Sequence, residues 1–249
     1  MRSPAPADFC FKQFSIWHQQ CAMKVNTDGI LLGAWAHIGH AKNILDIGTG
    51  TGLIALMLAQ RSQTLTDIPN ISALEIDLDA YQQAQFNVDQ SPWASQVTVF
   101  HHDFLTWQHE QKIEKQCFDL LVSNPPYFED SLLSASPNKN LARHTKHMGF
   151  EQLLQAADNL LSDEGEFNLI LPIKQAELVI ELALSLNMQL TRQTRVKTTP
   201  KKPISRLLFC LRKTTSPLSV MSNDLTIRDE NNQYSAEYKA LCKAFYVKM

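Results

Sequence analysis

Apolar and polar positions follow two alternating periods along most of the chain. Short apolar runs of strand length are followed by segments in which apolar residues recur at helical spacing. Such repeated strand–helix units predict a parallel sheet covered by helices on both faces. The predicted strands are 43–47, 71–76, 96–101, 117–123, 166–171, 189–197 and 206–211, and the predicted helices are 28–38, 53–60, 78–90, 150–161, 175–186 and 235–245.

The domain organisation follows from where the first strand begins. A chain of 249 residues fits one large α/β domain with a short appendage. We therefore expect an N-terminal extension, residues 1–40, that packs on a main domain of residues 41–249. Residues 124–148 are expected to form a long loop. Ligands of such sheets bind beyond the carboxyl ends of the strands, so the candidate site residues are sought there.

Composition excludes several classes of protein. Apolar residues make up 44% and charged residues 19%, which suits a globular core rather than a disordered chain. A net charge of −2 means that a polyanion can be held only by a local basic patch. Five widely spaced cysteines without a CxxC pair indicate reduced thiols, and no metal site is expected. No run reaches the roughly 18 apolar residues of a membrane span, so a cytoplasmic location is the expectation.

A glycine turn follows the first predicted strand. Asp46 precedes Gly48, Gly50 and Gly52 in a GxGxG pattern that opens a helix. It lacks the third glycine position of the dinucleotide fingerprint and the Lys-Ser/Thr pair of a P-loop. The glycines predict close approach of a ligand to the backbone. Asp46 would be a poor neighbour for a pyrophosphate, but it suits a ligand that carries an amino group.

The next two strands also end on candidate ligand residues. Glu75 lies 25 residues after Gly50, where a carboxylate can accept from both hydroxyls of a ribose. Asp103 could accept from the amino group of an adenine, and Phe104 could pack on its ring. The alternatives are a solvated strand end for Glu75, and helix capping and core packing for Asp103 and Phe104. Together these residues indicate a cofactor that contains a nucleoside.

The tetrapeptide Asn124-Pro125-Pro126-Tyr127 is the most specific signal in the chain. The prolines restrict the backbone, so the Pro125 carbonyl keeps one direction beside the Asn124 side-chain carbonyl. Two acceptors fit one NH₂ group with two donors. An exocyclic amine is a poor nucleophile because its lone pair is delocalised, and such acceptors favour a pyramidal nitrogen. Tyr127 offers an aromatic face for stacking on a base.

These motifs, in this order, resemble those of the class I amino-methyltransferases. The resemblance implies an α/β three-layer sandwich, S-adenosylmethionine as the cofactor, and a seven-stranded, mostly parallel sheet whose last strand is antiparallel. The segment FSIWHQQCAMKVNTDGILLGAW, residues 14–35, is similar to the tRNA(Val) adenine-N6 methyltransferases of gamma-proteobacteria. So are DQSPWA at residues 89–94 and AFY at 244–246. The resemblance therefore covers nearly the whole chain.

The closer resemblance implies a substrate and further site residues. That family methylates N6 of adenosine 37, next to the anticodon of tRNA(Val), without an obligatory protein partner. It places Lys24, Thr27 and Asp28 at the edge of the cofactor or active site. Asn26 stands where the family usually has glycine, and asparagine tolerates a left-handed backbone better than most residues.

Basic residues concentrate near the end of the predicted sheet. Eight of the 23 Lys and Arg residues lie between Arg192 and Lys213. One alternative is that they protect exposed strand edges from aggregation. As a cluster they favour contact with an RNA backbone. The predicted RNA-binding residues are Arg143, Lys146, Arg195, Lys197, Lys201, Lys202 and Arg206.

Three other functions share parts of this pattern. A glutamine-N5 methyltransferase of release factors uses the same tetrapeptide, since an amide nitrogen poses the same chemical problem. Those enzymes carry a separate N-terminal helical domain, and only about 40 residues precede the first strand here. Guanine-N2 methylation of ribosomal RNA is another alternative. A non-catalytic RNA-binding module would leave the tetrapeptide without a role.

Overall fold

A computed structural model describes residues 6–110, 117–126, 138–214 and 218–248, without the side chains of residues 108–110 and 138–148. The strands are β1 (Phe9–Cys10), β2 (Ser15–Ile16), β3 (Asn43–Ile47), β4 (Asn70–Glu75), β5 (Val97–His101), β6 (Phe118–Ser123), β7 (Leu161–Pro172), β8 (Met188–Lys197), β9 (Ile204–Lys213) and β10 (Met221–Thr226). The helices are α1 (Thr27–Trp35), α2 (Leu53–Ser62), α3 (Leu78–Asp89), α4 (Phe104–Glu110), α5 (Asn138–Leu160), α6 (Ile173–Leu184) and α7 (Ala236–Cys242).

The central sheet has the strand order β10-β8-β9-β7-β6-β3-β4-β5. All neighbours pair in parallel except β9, which runs antiparallel to both β7 and β8. The predicted parallel sheet with an antiparallel seventh strand is therefore correct for β3 to β9. The predicted count of seven was too low, because β10 adds an eighth strand beside β8. Four of its six residues are exposed, so it lacks the apolar alternation that reveals a strand.

Two hydrophobic cores lie on opposite faces of the sheet. One contains Ile44, Ile71 and Leu120 from the strands and packs them against α1, α2, α3 and α7. The other contains Leu45, Leu74 and Leu121 and packs them against α4, α5 and α6. Alternate residues of each strand thus serve different helical layers, as a sheet buried on both faces requires.

The helix after β6 begins earlier than the sequence pattern predicts. α5 starts at Asn138, so its first three turns lie within the expected loop 124–148. The sequence of residues 139–149, KNLARHTKHMG, is rich in polar residues, so apolar residues do not recur there at helical spacing. α4 was not predicted either, because this helix has only seven residues, too few to show a helical period.

The first and last parts of the described chain lie together. Phe11 forms an antiparallel bridge with Tyr246, and the Lys12 amide donates to the Phe245 carbonyl over 2.7 Å. Aromatic rings fill the junction, with Phe11 stacked on Phe14 at 4.6 Å between centroids. The β1–β2 hairpin is therefore anchored to the segment after α7. Within the described ranges, no helix combines the length and the apolar character needed to cross a membrane.

Candidate active site

Four neighbouring parallel strands end at the same edge of the sheet. β3, β6, β4 and β5 are paired in register there, and the segments that follow them carry the glycine turn, Asn124, Glu75 and Asp103. Parallel strands present their carboxyl ends to one side, so residues far apart in sequence meet at this edge. The topology thus places the residues predicted to bind the cofactor next to the residue predicted to hold the substrate amine.

The glycine turn leaves open space above its backbone. Gly48 and Gly50 have φ values of 69° and 58°, in the left-handed region that favours glycine. A Cβ at either position would have no neighbour within 4 Å among the described atoms. Gly52 has a φ of 79° and is the N-cap of α2. The turn is therefore a cradle whose shape is set by backbone and whose outer side is free for a ligand.

Asp46 organises this turn from below. It is fully buried, and its Oδ2 accepts from Thr49 Oγ1 at 2.6 Å and from the Ala55 amide at 3.1 Å. Its Oδ1 is buried without a hydrogen-bond partner in the described part of the chain. Burial raises the pKa of Asp46 to about 7. A cationic group bound nearby would favour the charged carboxylate, as the sequence analysis anticipated for an amino-bearing ligand.

Glu75 closes the turn from the neighbouring strand. Its Oε2 accepts from the Gly50 amide at 2.8 Å, and its Oε1 accepts from the amides of Ile76 and Asp77. These three donors fix the carboxylate at the end of β4, where its remaining lone pairs stay available for hydroxyl donors. Asp77 is the N-cap of α3. Glu75 is thus a positioned carboxylate rather than a solvated strand end.

Asp103 and Phe104 have structural roles here. Asp103 Oδ1 accepts from the Leu105 amide at 2.9 Å at the start of α4, and Phe104 is buried in the second core. The exposed apolar side chains at this place are Ile76 and Leu105, which the sequence analysis missed. Ile76 lies one position after Glu75 and Leu105 two positions after Asp103, and this closeness to a strand-end carboxylate was the available signal.

The tetrapeptide is fixed to the end of β3. Ser123 Oγ donates to the Ile47 carbonyl at 2.9 Å, which the sequence analysis also missed. Pro125 is buried and Pro126 exposed. Asn124 Oδ1 is buried without a hydrogen-bond partner among the described residues, although it is an acceptor. Tyr127 lies outside the described residues, so its stacking role stays a prediction.

An irregular arm, residues 17–26, lies over the tetrapeptide. Met23 Sδ accepts from Asn124 Nδ2 at 4.0 Å, a long contact to a weak acceptor, and Lys24 is exposed beside it. Thr27 is exposed at the start of α1, where Asn26 Oδ1 caps the helix by accepting from the Gly29 amide at 2.8 Å. Asn26 has a φ of −136°, so it does not adopt the left-handed backbone that asparagine tolerates. A side-chain cap replaces it.

Asp28 and Arg206 bind each other at this edge. Arg206 Nε donates to Asp28 Oδ2 at 2.8 Å, and both side chains are largely buried. Since β9 pairs with β7, Arg206 lies opposite Pro172, two strands from Asn124. Asp28 was predicted at the cofactor site and Arg206 in RNA binding. In the structure the two side chains form one ion pair that links α1 to β9.

Most cations of the predicted basic cluster already have partners. Arg195 pairs with Asp224, Arg212 with Glu166, and Lys213 with Asp158. Arg192 lies over the Trp35 ring, 3.6 Å from its centroid, and donates to the Trp35 carbonyl. No ion pair is recorded in the described structure for Lys197, Lys201 and Lys202 at the β8–β9 turn, and the last two are exposed. The side chains of Arg143 and Lys146 lie outside the described part.

The described residues contain no group of three or more His, Cys, Asp or Glu side chains arranged to hold a metal ion.

Comparison with known proteins decides the family. The model of the methyltransferase small domain matches residues 28–198. A tRNA1(Val) (adenine(37)-N6)-methyltransferase of Pseudoalteromonas translucida is 46% identical, over 97% of this chain and 99% of its own. The chain belongs to this family. A member from Parabacteroides distasonis is 44% identical, over 97% of this chain and 98% of its own. The resemblance seen in the motifs is therefore confirmed along nearly the whole chain.

Solved structures show the same fold for distant relatives. A predicted O-methyltransferase of Agrobacterium tumefaciens has a TM-score of 0.69 at 17% identity, over 88% of this chain and 96% of its own. A putative class I S-adenosylmethionine-dependent methyltransferase of Listeria monocytogenes has a TM-score of 0.55 at 15% identity, over 80% of this chain and 62% of its own. The predicted class I methyltransferase fold is confirmed.

The residues at the sheet edge fit S-adenosylmethionine, the cofactor of this class. The cradle over Gly48 and Gly50 is open, Glu75 accepts from the Gly50 amide, and the buried carboxylate of Asp46 lies beneath the turn. A ligand with an ammonium group at its amino acid end and ribose hydroxyls at its nucleoside end suits these two carboxylates.

Proposed function

We propose that this protein transfers the methyl group of S-adenosylmethionine to the exocyclic N6 amine of an adenosine in tRNA, in the cytoplasm. The family names support tRNA1(Val) and adenosine 37 as the target. The observation that carries the proposal is the buried, unpartnered Oδ1 of Asn124 at the end of β6, next to the glycine turn. Burying an acceptor without a partner is costly unless a ligand supplies the donor.

The described residues divide into a cofactor group and an amine group. The backbone at Gly48, Gly50 and Gly52 would line one side of the cofactor. Glu75 would accept from its ribose, and Asp46 would offset its positive charge. When bound, the cofactor supplies an electrophilic methyl group, so no strong base is needed before attack.

The amine group orients the nucleophile. Asn124 Oδ1 and the Pro125 carbonyl would accept from the two hydrogens of the amine, which leaves the nitrogen lone pair free. Ser123 keeps these acceptors beside β3 through its bond to the Ile47 carbonyl. Tyr127 would stack on the base. We expect positioning and preorganised dipoles to supply most of the rate.

The rest of the proposed cofactor site is less direct. Asp103 would offer its second carboxylate oxygen to the adenine, with Ile76 and Leu105 as apolar neighbours and Phe104 supporting them from the core. Lys24 and Thr27 would line the substrate side of the arm. Asp28 would act by holding α1 through Arg206.

The tRNA would be held across the β8–β9 turn. Lys201 and Lys202 are exposed there, at the same sheet edge as Asn124, because β8 runs parallel to β6. Three strand intervals separate β8 from β6, about 15 Å at the usual spacing. That span suits a phosphate a few nucleotides from an extruded base. Lys197, Arg143 and Lys146 are proposed as further contacts, whereas Arg195 would first have to leave Asp224.

The test is nucleoside mapping by mass spectrometry. Unmodified tRNA1(Val), ribosomal RNA and a release factor are each incubated with protein and cofactor. We expect N6-methyladenosine in the tRNA at position 37 alone. Asn124→Ala should lower turnover at least about 10²-fold, by analogy with loss of an oxyanion-hole donor, with little change in cofactor affinity. Methyl transfer to glutamine or guanine instead would overturn the proposal, and normal turnover in the variant would make the tetrapeptide structural.

A further inference from the structure

The side chain of Asn87 joins the glycine turn to the arm of residues 17–26. It is fully buried on α3. Its Oδ1 accepts from the Trp17 amide at 3.0 Å. Its Nδ2 donates to the Trp17 carbonyl and to the Thr51 carbonyl, both at 2.8 Å. An asparagine amide has two N–H donors and one acceptor oxygen, so every polar atom of this side chain is used.

The two partners of Asn87 belong to different parts of the active site. Thr51 lies in the turn between Gly50 and Gly52, where the cofactor is proposed to bind. Trp17 is the first residue of the arm, and its ring meets Phe86 edge-on at 5.2 Å. Separating either partner would leave buried polar groups unsatisfied, which makes the three groups move together.

The far part of the arm contacts Asn124, the residue proposed to hold the substrate amine. Met23 contacts Asn124 Nδ2, so the Asn124 oxygen is the amide atom left for a donor. The His18 ring nitrogen Nδ1 accepts from the Val25 amide, which ties the middle of the arm to its beginning. Side-chain contacts at Thr51, Trp17 and Asn124, joined by the backbone of the arm, thus connect the glycine turn to the tetrapeptide.

We infer that Asn87 is a positioning residue that couples cofactor binding at the glycine turn to the placement of the arm over Asn124. This inference rests on the proposed cofactor site. Coupling of two sites is a free energy shared between them, so ordering the turn must order the arm. The cofactor would then prepare the amine side of the site before a tRNA arrives.

Limited trypsin digestion reads the arm directly, because Lys24 is exposed in an irregular segment. The rate of cleavage after Lys24 is followed by mass spectrometry with and without saturating S-adenosylmethionine. In the wild type, cofactor should slow this cleavage about 5-fold or more, a typical size for coupling between sites. In Asn87→Ala the slowing should fall below about 2-fold at saturating cofactor.

Gln83 supplies the matched control on the same helix. Its Oε1 accepts from the Gln20 amide at 3.4 Å, so it touches the arm but has no recorded bond to the glycine turn. Gln83→Ala should speed cleavage with and without cofactor and keep their ratio near that of the wild type. Equal loss of the ratio in both variants would overturn the inference, because any loosening of the arm would then suffice.

Two further results decide the remaining cases. Protection that persists in Asn87→Ala would overturn the inference, since the cofactor would then cover Lys24 directly. If that variant does not fold, hydrogen exchange of the wild type decides. Cofactor should slow exchange of the Trp17 amide, and unchanged exchange there would overturn the inference. Cofactor binding is checked separately by calorimetry, so wild-type binding without protection contradicts this coupling and leaves the proposed function standing.

Discussion

The glycine turn and the β8–β9 turn lie at the same edge of one sheet, but they present their polar groups in opposite ways. At the glycine turn, backbone geometry holds the site open, and Asp46 keeps one carboxylate oxygen unpartnered among the described atoms. Next to the β8–β9 turn, carboxylates from elsewhere in the chain already neutralise Arg195 and Arg206.

This difference in how the polar groups are paired indicates that a small cofactor and a large polyanion would be bound in different ways. The cofactor side already has its backbone cradle and its carboxylates in place, so its interactions should be strong. Among the described residues, the proposed tRNA side has few cations without an ion pair, in agreement with a net charge of −2. We therefore expect affinity for tRNA to depend less steeply on salt than the count of basic residues suggests.

The largest effect should come from filling the glycine cradle. Gly50→Val places a branched side chain at a φ of 58°, in space that is open without ligand. Cofactor affinity measured by calorimetry should fall below detection, because the backbone is no longer approachable. Gly149→Ala is the control, since its Cβ also meets open space at a position without a positive φ. Retained affinity in Gly50→Val would show that the cradle does not touch the cofactor.

The next effect concerns the buried carboxylate. Burial raises the pKa of Asp46 in the folded chain to about 7, whereas an aspartate in an unfolded chain has a pKa of about 4. From about pH 4 to 7 the folded chain keeps a proton that the unfolded chain has lost, so this group lowers the free energy of unfolding as pH rises. Asp46→Asn removes the titration while its oxygen still accepts from Thr49 and Ala55.

Urea unfolding at several pH values measures this difference. The unfolding free energy of the wild type minus that of Asp46→Asn should decrease by up to a few kcal/mol between pH 4 and 7, since one pKa unit corresponds to about 1.4 kcal/mol. A difference that stays constant with pH would mean that Asp46 titrates as an exposed aspartate does.

A smaller effect is expected at the β8–β9 turn. Lys201→Ala with Lys202→Ala should weaken binding of all tRNAs alike, by roughly 10-fold at low salt, and lower the slope of affinity against salt by about one per lysine. Filter binding across a salt titration measures both. Lys42→Ala is the control, because Lys42 is exposed just before β3, at the opposite edge. Wild-type binding by the double variant would move the RNA surface to the segment with Arg143 and Lys146.

The smallest effect should come from a cation that is already paired. Arg195 Nε lies 2.6 Å from Asp224 Oδ1 on the neighbouring strand, and both side chains are about half exposed. Arg195→Ala should change tRNA affinity less than about 2-fold, since an exposed pair contributes little in either state. The same titration detects it. A loss as large as that of the double lysine variant would show that Arg195 exchanges Asp224 for a phosphate.

The core of the fold was predictable because its signal is local. β3 has the predicted bounds, and β6 differs by one residue, since each is a buried apolar run between breaks. β10 was missed because four of its six residues are exposed, and the first turns of α5 were missed because their sequence is mostly polar and shows no helical period of apolar residues. The division at residue 40 stays a prediction.

The site was predictable where one stretch of backbone defines it. The glycine turn and the tetrapeptide are each shaped by consecutive residues. Partners brought together by the fold were not predictable: Asp28 and Arg206 are 178 residues apart, and Asn87 and Trp17 are 70 apart. The spacing in sequence that made Arg206 look free for RNA gave no sign of the carboxylate beside it.

The junction at Phe11 and Tyr246 has a consequence for synthesis on the ribosome. Lys12 and Lys243, which also bond there, are 231 residues apart, so the hairpin before the arm gains its support only after the segment around Lys243 has been synthesised. The β1–β2 hairpin is therefore translated early in this chain but completed late.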